Sequence, residues 1–207
     1  KNFTLLKMAT AGHYSPENEN FCRYFRLVNE TAAKPLRKIL ENNANARPLP
    51  VHTFLLCYKA KMQILFNKGV IQQHQFDKMY PKTGTFSIEN LDISLLCVIL
   101  TNICNVSPKG KAAYEDIRKY RNELCHNPVI ALPRLDYYSN FSKVHNAIKV
   151  LLKECQDMTF EAEIENEIKN IDERPVSISA VMNLFKEFLF TQDSEMAHTF
   201  SERIRQL

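Results

Sequence analysis

Apolar residues in this chain recur at intervals of three and four rather than alternating. Phe21, Tyr24, Phe25 and Val28 form one such row, Leu36, Ile39 and Leu40 a second, and Phe141, Val144, Ile148, Leu151 and Leu152 a third. A repeat near 3.6 puts each row on one side of a helix, where it must be buried against another element. Only 4 glycines accompany 9 prolines, and no train of short, β-branched, alternating segments is present, which argues against a sheet. The chain is expected to be all-α.

Helix signals divide the sequence. Ser15-Pro16-Glu17 reads as an N-cap, a proline at the first helical position and a first-turn acid. Pro35 is expected to kink or break the helix that follows, the next stretch ends at Asn42-Asn43, and Arg47-Pro48-Leu49-Pro50 is a connector. One helix is expected from about His52 to Phe66, stopping at Lys68-Gly69, then a shorter one from Val70 to Met79 and a loop from Lys82 to Asn90. Asp92 caps a central apolar helix from Ile93 to Cys104. Ser107-Pro108-Lys109-Gly110 reads as a turn before a helix from Lys111 to His126 that Asn127-Pro128 stops. Amphipathic helices follow over Tyr137 to Glu154, Glu161 to Ile171, Ser177 to Phe190 and Ser194 to Ile204.

Bulk properties narrow the class. The six cysteines, Cys22, Cys57, Cys97, Cys104, Cys125 and Cys155, are scattered and form no CxxC or HxxxC pair, so they read as free, buried thiols in a reducing, cytoplasmic setting, with no metal and no cofactor. The charged opening residues lack the apolar core of a secretory signal. The most apolar run, Ile93 to Cys104, is too short to cross a bilayer. Residues 1–153 carry 22 Lys and Arg against 11 Asp and Glu, net +11, whereas residues 154–207 carry 5 against 12, net −7. A basic body followed by an acidic extension suits polyanion binding, with the extension packing on the body or shielding its binding face.

One segment concentrates chemistry. In Tyr120-Arg121-Asn122-Glu123-Leu124-Cys125-His126 a permanent cation, an amide and an imidazole occupy the last turns of one helix. Histidine moves protons near neutral pH, arginine grips phosphate oxygens in a fork, and asparagine orients a neighbour. The same Arg-x4-His spacing recurs at Arg47 to His52, but among prolines, where no helix can carry it. By helical phase Ile117, Tyr120 and Leu124 form the core stripe, Arg121 stands at its edge, and His126 lies opposite with Asn122 near it. Arg121 and His126 then diverge by about 140° on one ideal helix, so a second copy of the helix is needed to complete a site.

The segment resembles the motif of the HEPN superfamily, whose helical domains carry Arg-x4-6-His, often with Asn directly after the Arg. More narrowly the chain is similar to the HEPN branch named for the DAZ-interacting, zinc-finger (RING) E3 ubiquitin ligase. The stretches that carry this are Glu19 to Leu27, Leu91 to Leu96 continuing through Thr101 to Cys104, and Ile117 to Asn122 with His126. Together they span about residues 17–153. In that branch one more residue often separates Arg from His, so the spacing here departs from it and matches active nucleases elsewhere in the superfamily.

The resemblance implies a HEPN-type helical bundle, expected over residues 15–153, while charge and helical pattern alone give an acidic helical extension over 154–207. It also implies a homodimer whose motif helices meet across a two-fold axis, and metal-independent cleavage of RNA in active members. Arg121, Asn122 and His126 are then the catalytic set, giving a 2′,3′-cyclic phosphate and a 5′-OH, and Arg118, Lys119, Lys109 and Lys111 are the expected RNA contacts, with single-stranded RNA as partner and no membrane. The other reading is a non-catalytic module that dimerises, binds RNA or recruits partners inside a larger signalling, innate-immune or ubiquitin-ligase protein, with further domains in the full-length chain.

Overall fold

The computed structural model describes residues 15–126 and 131–176, and every regular element among them is helical. The Asn127-Pro128 stop and the segments expected over 177–190 and 194–204 lie outside these residues. In order, the helices are α1 (Pro16–Arg26), α2 (Ala33–Asn45), α3 (Val51–Cys57), α4 (Lys59–Asn67), α5 (Gln73–Met79), α6 (Ile93–Ile103), α7 (Pro108–His126), α8 (Arg134–Cys155) and α9 (Met158–Glu173).

The start of α1 follows the sequence closely. Ser15 Oγ accepts from the Asn18 N–H, and Asn18 Oδ1 accepts back from the Ser15 N–H at 3.0 Å, which satisfies two of the end amides. The expected disruption by Pro35 falls earlier and takes another form. Leu27–Thr31 is a π-helical turn, closed by the Ala32 N–H on Leu27 O at 2.9 Å. Asn29 Nδ2 donates to Phe25 O in the same turn. Pro35 then stands in the first turn of α2, where its missing N–H has no helical partner to lose.

Three other boundaries differ from expectation. The helix expected from His52 to Phe66 is two helices, because Tyr58 leaves helical geometry (φ −108°, ψ 12°). Arg47 lies over both the Phe54 and Tyr58 rings at 5.8 and 5.4 Å, packing that break. The segment expected from Val70 begins at Gln73. The expected Ser107–Gly110 turn is absorbed into α7: Ser107 O accepts from the Lys111 N–H and Ser107 Oγ from the Gly110 N–H, so Ser107 caps a helix that opens with Pro108. Asp92 caps α6 as expected, its Oδ1 accepting from the Leu95 N–H at 2.9 Å.

α8 is the centre of the bundle. It packs antiparallel on α7 and also touches α1, the π turn, α2 and α9, while α6 fills the space between α2 and α7. Tyr137, Val144, Ile148, Leu151 and Leu152 of α8 are buried together with Leu27, Val28, Leu36 and Leu40. Full burial of each such side chain is worth about 1.5–3 kcal/mol. The helices α3, α4 and α5 form a lobe to one side, joined to the rest chiefly through α2.

The extension from residue 154 begins inside α8, and α9 packs on the body. Asp157 caps α9 and pairs with Lys38 at 2.9 Å. Ile164, Ile168 and Ile171 are buried against the π turn, α1 and α8. Around them Glu167 accepts from Thr31 Oγ1 at 2.8 Å and pairs with Lys34, Glu165 meets His145 Nε2 at 2.8 Å, and Tyr137 donates to Asp172 at 2.8 Å. Attraction between the acidic extension and the basic body is thus met by α9 in specific pairs.

The cysteines divide. Cys22, Cys97 and Cys155 are buried, Cys104 is half-buried and Cys57 is exposed. The expectation of buried thiols fails at Cys57 because α3 turns Phe54 and Leu55 inward and leaves Cys57 outside. Burial pushes the thiols of Cys97, Cys104 and Cys155 up to about 12.

Candidate functional site

α7 sorts its residues into two faces. Ala113, Tyr114, Ile117, Arg121 and Leu124 point into the bundle and are buried, with Tyr120 half-buried beside them. Tyr114 ties this face to α6: its hydroxyl meets Thr101 Oγ1 at 2.9 Å and its carbonyl accepts from Cys97 Sγ. On the other face Glu115, Arg118, Lys119, Asn122 and Glu123 line an open depression of about 470 Å³. Their spacing of three and four makes one outward ridge.

Arg121 is placed differently from the sequence expectation. It stands inside the buried face, not at its edge, and is only 6% exposed. One turn beyond Ile117 it continues the Tyr114–Ile117 stripe, so its aliphatic stem is core. Its guanidinium lies within electrostatic reach of the Cys97 thiol of α6, and its Nη1 donates to Asn122 Oδ1 at 3.2 Å. Asn122 therefore joins the two faces, lining the depression while its side-chain carbonyl accepts from the buried cation. The backbone of α7 continues as helix to His126; that side chain lies outside what is described, and helical phase puts position 126 on the side of Asn122, one turn on.

The four expected RNA contacts fall into two groups. Arg118 and Lys119 are exposed at the depression, and Lys119 reaches Glu123 at 3.9 Å. Lys109 and Lys111 are exposed in the first turn of α7, about 10–14 Å along the axis from Arg118. The amino end of α7 already meets a carboxylate: the Ser107 N–H and hydroxyl both donate to Glu154. α9 leaves all four cations in solvent.

Sequence reading passed over Glu115 and Glu123, although both share the i, i+3, i+4, i+7, i+8 register of Arg118, Lys119 and Asn122. They make the ridge mixed in charge. Tyr24 of α1 is buried, as its row in the sequence requires, and stands near this ridge; burial holds its phenol well above the ordinary range, and the Glu123 carboxylate and Tyr120 phenol add to that. Tyr120 is raised likewise by burial, with Asp116 and Glu123 contributing. The discarded Arg47–His52 pair is occupied structurally, Arg47 over Phe54 and Tyr58 and the His52 ring stacked on Phe86 at 5.1 Å. Among the described residues no group of three or more His, Cys, Asp or Glu is placed to hold a metal ion, and no helix is long and apolar enough to cross a membrane.

An all-helical bundle with a long helix that ends in Arg-Asn-x3-His has the form of a HEPN domain. A family model described as DZIP3/hRUL138-like HEPN matches residues 48–176, well over half the chain, and the chain belongs to that family. The matched stretch runs from the connector before α3 through α9, so it takes in the acidic helix. It leaves outside Glu19 to Leu27 of α1 and the π turn. No curated protein and no solved structure matches the chain.

Proposed function

We propose that this HEPN domain acts on RNA through the outward ridge of α7 and, as a homodimer, cleaves it without a metal ion. The observation that carries the reading is the Arg121–Asn122 hydrogen bond. It holds a permanent cation in a fixed, water-poor position beside an open face that bears Arg118 and Lys119. Such preorganised charge is what a developing phosphorane needs, because it costs no reorganisation when the reaction occurs. His126 serves as general base on the ribose 2′-OH or as general acid on the leaving 5′-oxygen. A symmetric partner supplies the second Arg121 and His126, and the reaction balances as internal transesterification to a 2′,3′-cyclic phosphate and a 5′-OH.

One observation favours the second reading, a non-catalytic module that dimerises or binds RNA. Arg121 is 6% exposed within its own chain, so little of it is open to a phosphate. Purified protein on end-labelled single-stranded RNA, with the product ends identified, separates the two. Cleavage that persists in EDTA, stops on 2′-deoxy substitution at the scissile position and is lost in His126→Ala supports the enzyme. Saturable RNA binding without any cleavage supports the module. Light scattering that finds only monomer at tens of micromolar removes the composite site.

A further inference from the structure

We infer that the outward side of α3 and α4 is a docking surface for an acidic, amphipathic helix of another protein, independent of the α7 ridge. Between Glu41 and Asp77 the chain contains no aspartate or glutamate, yet it carries Arg47, Lys59, Lys61 and Lys68. With 23 acids in 207 residues, a run of this length would ordinarily hold about four. The same run holds three of the six large apolar side chains that the fold leaves exposed among the described residues: Leu56 at 45%, Ile64 at 55% and Val70 at 50%.

The fold gives these side chains no internal task. α4 buries Met62 alone, and α4 packs chiefly on its chain neighbours α3 and α5. Ala60 and Ile64, four residues apart on the side opposite Met62, make an exposed row that Leu56 and Cys57 extend along α3. Cations border the row in held positions: Lys61 Nζ donates to Asn102 O at the end of α6, and Lys59 Nζ lies over the Tyr80 ring at 5.3 Å. An apolar row flanked by fixed positive charge and free of carboxylates complements a helix with leucine-like anchors on one side and acids beside them. A second copy fits poorly, since it would set one acid-free basic surface against another. A bilayer fits poorly as well, because the row bends at Tyr58 and carries only scattered, half-exposed apolar groups.

The test uses the whole chain and a fluorescein-labelled helical peptide of about five turns, with leucines at i, i+3, i+4 and i+7 and glutamates elsewhere. Its lysine-for-glutamate counterpart and phosphatidylserine vesicles serve as comparators. Anisotropy should report saturable binding of the acidic peptide, weaker as salt shortens the screening length. The double variant Leu56→Asp, Ile64→Asp should weaken that binding by about tenfold or more while circular dichroism stays unchanged. Ile64→Ala gives a milder check should the double variant lose helix. Absence of saturable binding, equal binding by the folded variants, or stronger binding to the vesicles would each overturn the inference. So would self-association that Ile64→Asp abolishes.

Discussion

Truncation after Lys153 provides the sharpest test of how the domain is assembled. The cut removes Glu154, which holds the amino end of α7, the last residues of α8, and all of α9. Three isoleucines of α9 are buried, and at about 1.5–3 kcal/mol each their loss amounts to about 5–9 kcal/mol. Residual compaction of the unfolded chain lowers that figure by roughly a third. Even so it rivals the total stability of a typical domain, about 5–15 kcal/mol. The truncated chain should therefore be unfolded, or compact without fixed packing, at 25 °C. Urea titration followed by helical circular dichroism measures this, with Ile168→Ala in the full chain as the graded control, expected to lose about 2–5 kcal/mol. A truncated chain with a cooperative transition within about 0.5 M urea of the full chain would refute the reasoning and return α9 to the status of a detachable appendage. Tighter RNA binding by a well-folded truncation would instead show that residues 154–207 shield the ridge.

Other outcomes follow from the site and its surroundings. Arg121→Ala should destabilise by about 1–3 kcal/mol, because a buried stem and a charge-assisted bond are lost together, whereas Lys119→Ala should change stability by less than about 0.5 kcal/mol; equal denaturation midpoints for the two would mean that Arg121 is not core. Iodoacetamide at pH 8 should label Cys57 ahead of the four other cysteines whose side chains are described and spare Cys97, Cys104 and Cys155, whose thiols burial keeps protonated, and peptide mapping that finds Cys97 labelled as quickly as Cys57 would contradict the packing. Stability should respond to pH in two opposed steps. Burial raises Glu30, so its ionisation works against the fold as pH rises from about 4.3 through the raised value. The Phe160 N–H and Lys38 lower Asp157, so its contribution is present above about 3.9 and lost as pH falls through the depressed value. Acidification from neutrality should first leave urea midpoints level or slightly higher, then lower them, and Glu30→Gln should remove the first step; a monotonic fall unchanged in that variant would show that Glu30 is not burdened by burial.

Much of this was legible in the sequence where one local rule decided the outcome. Ser15, Asp92 and the helical phase of Ile117 and Leu124 each needed only neighbours three or four residues away, and each stands as the spacing requires. Arg121 was misjudged because periodicity treats a charged residue as a boundary, whereas its stem fits the slot between Tyr114 and Leu124. The π turn at Leu27–Thr31 has no sequence signature of its own. It sits where α7, α8 and α9 all meet the first helix, and contacts from 136 residues away, such as Thr31 with Glu167, stand against it. The family match extends the resemblance past residue 153 to Val176. The buried face of α9 explains why such a domain needs that length.

Gly110 lets the side chains of Val106 and Glu154 close over the start of the motif helix. It is buried where α7 crosses the end of α8, and a Cβ there would stand 2.8 Å from Val106 Cγ1 and 3.0 Å from the Glu154 side chain, so any other residue would have to push those two side chains aside. Asn122 lies twelve residues further along, about 18 Å away. The helix between them is a rigid arm, and a tilt of about 5° at the crossing swings its far end by about 1.5 Å. Displacements of that size separate productive from unproductive geometry in phosphoryl chemistry. A substitution at Gly110 that tilted α7 by that angle would displace the Arg-Asn-x3-His end without touching it.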